Sequence, residues 1–335
     1  LPGLTYKTVQ DRENKTVKGF DVTTTNGLIT IANKKTITAT PRKEEQYTLK
    51  LTFVNYEGDQ TENAKGTLSA KVMIQKEPIV TTLASYITNL YTGTQGENGI
   101  YYHDASLTNG ANDNSYRYAG ASDQVNNYVC FGSNVTPCPT DNLYRIIGVF
   151  GDKVKLIKST SVGDMKWASN NMNTWSTSSL NTYLNNVFIN TFDETTKGKI
   201  ADTIWKVGGF SDKRQPAKKV YQNEINSSPS VNNKIGLMYV SDYGFAAAPS
   251  AWTANLSTYD DEAIKNVNWM YLGSYEWIIS RNADDAYHVF YVYITGSVGS
   301  STADTAFGVR PVFSLTSFVN YASGSGSATD PILVN

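Results

Sequence analysis

The stretch from Leu143 to Lys158 constrains this 335-residue chain more than any other. Leu143-Tyr144-Arg145-Ile146-Ile147-Gly148-Val149-Phe150 and Lys153-Val154-Lys155-Leu156-Ile157-Lys158 are two strand-like runs on either side of Gly151-Asp152. A two-residue Gly-Asp connection suits a tight β-hairpin. The hairpin marks a domain expected over residues 116–335. After it, Ser176 or Thr177 is placed to cap a helix that puts Leu180, Tyr183, Leu184, Val187 and Phe188 at helical spacing. A second helix is expected from about Asp193, with Ile200 and Ile204-Trp205 on its apolar side. Lys234 to Ser241 reads as a buried strand, and Ile332-Leu333-Val334 as the last one.

Residues 1–77 have a different texture. Gly27-Leu28-Ile29-Thr30-Ile31 follows an Asn26-Gly27 turn, Tyr47 to Val54 alternates apolar and polar, and Thr67 to Ile74 follows a charged turn. Short alternating strands with turn signals between them predict a small all-β, immunoglobulin-like sandwich serving as a stalk. Lys and Glu concentrate here, as they do on exposed edges and faces. Residues 78–115 are expected to be a linker opening at Pro78. Within it, Leu83, Ile87, Leu90 and Tyr91 share one face of a short docking helix.

Charge then narrows the function classes. The net charge is −1 with no basic block, which argues against nucleic acid as a partner. No apolar run approaches membrane-spanning length, so membrane attachment is expected only through segments outside this chain. The chain opens on Leu1 rather than Met, so any leader or anchor would lie outside it. Only 18% of residues are charged, and 22 are Tyr. Tyr with Ser, Gly and Asn is the composition of binding surfaces, but it equally marks a β-rich extracellular protein.

The two cysteines, Cys130 and Cys138, bracket a loop containing Gly132 and Pro137. A disulfide would place the protein in an oxidising compartment, extracellular or at the cell surface; two reduced thiols in a cytosolic protein are the alternative. Zinc is disfavoured by the spacing and by a total of two histidines, so no metal or other cofactor is expected.

The order of hairpin, Trp-x-x-Ser-x-Leu helix, Asn268-Trp269, Glu276-Trp277-Ile278-Ile279-Ser280-Arg281 and Gly308-Val309-Arg310-Pro311-Val312 resembles the C-type-lectin-like fold shared with formylglycine-generating enzymes. The resemblance covers 116–335 and implies an α+β domain, a mixed β-sheet with two helices, behind the all-β stalk. Trp277, Arg281, Arg310 and Pro311 are read as structural. Each arginine is a fork suited to loop carbonyls or a carboxylate, and Pro311 needs an edge or bulge position.

Between those two motifs the sequence resembles the variable proteins of diversity-generating retroelements. There, adenine randomisation of an Asn codon yields many residue types but never Lys, Glu, Gln, Met or Trp. Those five types make up 52 of the first 277 residues and none of the last 58. A Ser/Gly/Thr-rich β tail would also be poor in them. The resemblance implies a ligand-binding face, hypervariable between alleles, that meets a protein or glycan on a bacterial surface or phage particle. Its candidates are Asn282, Asp284, Asp285, Tyr287, His288, Phe290, Tyr291 and Tyr293, with Tyr271, Tyr275, Asn268 and Ser274 beside them. On a regular strand half of these would point inward.

Catalysis is the weaker reading. The formylglycine-generating relatives rely on a late cysteine pair, and no cysteine follows Cys138. Asp284-Asp285 on a strand would face opposite ways, a poor acid/base dyad. A structural, pilin-like surface subunit is the other rival, distinguished by burial of Tyr287, Phe290, Tyr291 and Tyr293.

Overall fold

A computed structural model describes residues 81–335 and, before them, two strands. These are β1 (Leu4–Gln10) and β2 (Tyr47–Phe53), antiparallel with Leu4 opposite Phe53 and Gln10 opposite Tyr47. The strands expected at 27–31 and 67–74 lie outside the described residues, as does most of the sandwich they would complete. The chain divides into two compact units, Leu1–Ile79 and Val80–Asn335.

In the second unit the expected linker is part of the packed body. Helix α1 (Leu83–Asn89) is capped by Thr82, whose hydroxyl accepts the Ser85 N–H, and buries Leu83 and Ile87. Strand β3 (Ile100–Tyr102) pairs with β4 (Tyr116–Tyr118), which joins the main sheet through β6. An apolar helix face and a two-strand extension bury too much to remain a tether.

The main sheet has nine strands. Strand β5 (Tyr128–Cys130) and the expected hairpin of β6 (Leu143–Phe150) and β7 (Lys153–Lys158) form its centre. The hairpin is buried on both faces, and its Arg145, Lys155 and Lys158 side chains lie inside with the apolar ones. Its register shifts between Ile146 and Gly148. A Cβ on Gly148 would lie 2.4 Å from the Tyr116 carbonyl, so only glycine lets β4 close onto this bulge. The Cys130–Cys138 disulfide closes the loop after β5.

Next come β8 (Asp164–Lys166), α2 (Ser179–Asn186), α3 (Glu194–Gly198) and β9 (Thr203–Lys206). They are followed by α4 (Ala217–Ile225), β10 (Ser230–Asn233), β11 (Ile235–Gly236), α5 (Val240–Ala246) and α6 (Glu262–Lys265). The described residues therefore hold six short α-helices rather than two. Ser178, one residue beyond the expected caps, caps α2 by accepting the Asn181 N–H. Ile204 and Trp205 lie on β9 rather than on the helix after Asp193, because α3 stops after five residues and β9 pairs with β10. The expected strand 234–241 is only the two residues of β11. Glu224 and Asp242 accept the backbone N–H groups of Tyr239, Val240 and Ser241, and that turns the chain into α5.

The remaining strands are β12 (Glu276–Arg281), β13 (His288–Val292), β14 (Val298–Thr302), β15 (Ala306–Gly308), β16 (Val312–Ser314), β17 (Tyr321–Ser323) and β18 (Ile332–Val334). The main sheet runs β11-β16-β7-β6-β5-β18-β17, and a second sheet of five strands runs β14-β13-β12-β15-β8. The unit is thus α+β with mixed strand pairing: β12 runs parallel to β15, and β18 to β5. All six tryptophans are buried, and one large apolar cluster links both sheets to the helices. Among the described residues no helix is long and apolar enough to cross a membrane.

Candidate functional site

The five-stranded sheet collects the candidate residues, and its register decides which of them reach the surface. Trp277, Tyr291 and Gly299 lie opposite one another on β12, β13 and β14, and Phe307 on β15 lies opposite Met165 on β8. Directly opposed residues share a sheet face. Tyr275 stacks on Phe307 with ring centroids 5.1 Å apart, and Tyr291 lies 4.7 Å from the same ring. Tyr293 meets Tyr275 edge-on at 4.9 Å. Trp277 is the floor, 4.7 Å from Phe307, with its indole N–H donated to the Met165 carbonyl. Such offset and edge contacts fix ring orientation beyond what area burial alone provides.

Gly299 makes this arrangement possible. A Cβ there would lie 2.9 Å from the Tyr291 ring, so the ring lies flat over the glycine. The rim is aliphatic: Leu272 and Ile294 are each 44% exposed and Tyr293 37%. The Tyr271 hydroxyl donates to the Ile294 carbonyl at 2.7 Å, tying the two rim loops together. Tyr275, Tyr291, Tyr293 and Phe307 thus form one tyrosine-rich aromatic patch, with Tyr271, Leu272 and Ile294 on the loops that border it. Leu272, Ile294 and Phe307 were not singled out by sequence: a lone aliphatic residue in a loop carries no periodic signal, and the three residues of β15 are too few to show alternation.

The other end of the β12–β13 hairpin departs from expectation. Residues 282–287 form a loop, and the strand begins only at His288. Asp285 folds back on its own backbone, one oxygen accepting the N–H groups of Tyr287 and His288 at 2.7 Å each. The other oxygen meets His288 Nδ1 at 3.0 Å and the Asn282 side-chain amide at 3.1 Å. Burial pushes the Asp285 carboxyl up, but these N–H donors and the imidazole outweigh it and hold it below the usual carboxylate range. Buried Asn173 secures the loop from beneath, its amide donating to the carbonyls of Asn282, Asp285 and His288. Asn282, Asp285 and His288 are therefore engaged in holding the loop. Asp284 and Tyr287 project, Tyr287 at 51% exposure. The two adjacent acids make no dyad because one is locked into a turn and the other is free in solvent.

Phe290 is the clearest correction among the candidates. It is 1% exposed and stacks on Phe210 at 4.5 Å, so it belongs to the core. Asn268 is also buried, bonded to the Tyr243 carbonyl and the Met270 N–H, while Ser274 is exposed.

The residues read as structural brace the site. Arg310 binds both carboxylate oxygens of Glu276 and donates to the Met270 carbonyl at 2.7 Å. It thereby fixes both ends of the loop that carries Tyr271, Leu272 and Tyr275. Burial pushes the Glu276 carboxyl up, and Arg310 opposes that shift. Arg281 donates to the Gly208 carbonyl and to Asn173 Oδ1. Pro311 is buried, and its carbonyl accepts the Lys158 N–H of the neighbouring strand. A third buried guanidinium, Arg145, lies between the rings of Tyr128 and Trp269 and donates to the Trp269 carbonyl. Among the described residues, no cluster of histidine, cysteine or carboxylate side chains is arranged to hold a metal ion.

Compared with known proteins, residues 151–317 match a family model described as a domain of unknown function, DUF6273. No curated protein and no solved structure matches the chain.

Proposed function

We propose that residues 80–335 form a non-catalytic binding module of a secreted or surface-displayed protein, and that its partner is another protein held on the tyrosine-rich patch. One observation carries the reading. Half-buried aromatic rings, with exposed Tyr293, Leu272 and Ile294 beside them, are gathered on a sheet whose other contacts are locked by Trp277, Gly299 and the Arg310–Glu276 pair. Contiguous apolar surface on a rigid scaffold is what partner recognition uses, with tyrosines as low-entropy anchors. The aliphatic rim favours protein over glycan, since a sugar site sets amide or acidic side chains beside its rings, and here Leu272 and Ile294 occupy those places. The disulfide supports an oxidising compartment.

The resemblance to retroelement-diversified proteins joins this reading at particular positions. Diversification would fall on Tyr271, Tyr275, Asp284, Tyr287, Tyr291 and Tyr293, whose side chains reach the surface, and would spare Phe290, Asn268 and Asp285.

A photo-crosslinking amino acid placed at Tyr293, with a control at exposed Val187, tests the face against a cell-surface protein extract. A discrete adduct at 293, absent at 187 and lost on Tyr275→Ala, is expected. Equal adducts at both positions, or none at 293, would refute the patch as the partner face. Sequencing the locus across isolates tests the diversification separately: adenine-site substitutions should cluster at the exposed codons.

A further inference from the structure

Away from the binding face, Lys155, Asp242 and Glu224 form a buried group that the proposed function does not use. The Lys155 amine on β7 contacts a carboxylate oxygen of Asp242 on α5 directly. The rings of Tyr239, Phe150 and Trp205 lie 4.8, 5.6 and 5.7 Å from that amine, leaving it little access to water. Glu224 is equally buried. It accepts the N–H groups of Val240 and Ser241, the two residues before Asp242, and the Ser280 hydroxyl at 2.6 Å.

From this juxtaposition we propose that Lys155 and Asp242 are joined by an intramolecular isopeptide bond, formed by the chain itself. The ion pair first neutralises by passing one proton from the ammonium to the carboxylate. The Nζ lone pair then attacks Cγ of the Asp242 carboxylic acid. The N–C bond forms, the C–OH bond breaks, and the hydroxyl leaves as water with a proton taken from Nζ. Amine plus acid gives amide plus water, with no oxidant or cofactor.

The surroundings favour this step over a lasting ion pair. Burial lowers the Lys155 pKa, with Asp242 opposing, so the apolar surroundings disfavour the charged amine. A buried ion pair must offset the desolvation of two ions, whereas the amide carries no charge. The nearby Arg117 remains balanced after the reaction, because its 2.6 Å partner is Asp113 and its contact with Asp242 is 3.8 Å. The bond would tie α5 to the central strand β7 across 87 residues of sequence.

Intact-mass measurement of the purified chain, with the disulfide reduced, tests the proposal. The expected result is a mass lower than the sequence by one water, and a branched peptide joining Lys155 to Asp242 on proteolytic mapping. Lys155→Met should restore the full mass. Because that variant leaves Asp242 buried without a cation and could unfold, the wild-type map decides alone. Full mass in the wild type, or a water deficit mapped to other residues, overturns the bond.

Discussion

Replacing Arg310 with methionine tests how the patch is held. Arg310 is buried and donates to both oxygens of Glu276 and to the Met270 carbonyl, and Glu276 is buried with it. Removing one partner of a buried pair leaves an uncompensated charge, which costs about 3–5 kcal/mol. The orphaned Met270 carbonyl adds about 1 kcal/mol. Urea unfolding at pH 7 should therefore show Arg310→Met destabilised by about 4–6 kcal/mol, a large part of the total for a domain of this kind. Adding Glu276→Met should recover most of the loss, because the double variant buries no lone charge. The pH dependence has a definite sign. Without Arg310, burial raises the Glu276 carboxyl further, so folding favours its protonated form. The single variant then lies closest to wild type below the ordinary glutamate range and loses stability as pH rises through the raised value. A single variant within about 1 kcal/mol of wild type, or a double variant no better than the single, would refute the reasoning.

Other predictions rest on separate features. His103 is buried, its Nδ1 accepts the Ala111 N–H, and burial followed by the charge of Arg117 depresses its pKa to about 2. The unfolded chain takes up a proton near pH 6.5 that the folded one refuses, so His103 should cost about 1.4 kcal/mol per pH unit as pH falls below 6.5. Urea titrations of His103→Asn between pH 7 and 5 should lack that slope. Phe290→Ala should cost about 3–5 kcal/mol as a core truncation, while Tyr293→Ala at the surface should change stability by less than about 1 kcal/mol. Equal losses in thermal melts would contradict the division of the candidates into core and face. Gly299→Ala should displace the Tyr291 ring, costing about 1–3 kcal/mol by overpacking and abolishing the crosslink at Tyr293. An unchanged crosslink would show that the ring does not need the glycine. Replacing both cysteines by serine should cost about 2.5 kcal/mol, the loop-closure value for an eight-residue separation, as read by urea unfolding.

Some of this was legible in the order of residues alone. The Gly151-Asp152 hairpin, the existence of α2 with Leu180 and Leu184 buried, and the cysteine loop are local patterns, whereas the cap fell one residue later at Ser178 and Val187, expected inside, is exposed. Arg310 and Trp277 showed as structural because a fork-shaped cation beside proline, or a large aromatic amid apolar residues, has few other uses. The patch was legible only in part. Tyr275, Tyr291 and Tyr293 stood out as tyrosines near one another, but whether each is core or surface depends on register, and sequence periodicity through 282–293 placed the loop and Phe290 wrongly. Asp285 and Asn173 bend the chain there by hydrogen bonds whose partners are up to 115 residues apart. The Lys155–Asp242–Glu224 group left no sequence signal at all. Its members lie on a strand and two helices, and each is an ordinary charged residue until the fold removes its water. Sequence set the elements whose causes are local. Tertiary structure decided which side chains meet, because burial and long-range register are properties of the packed chain.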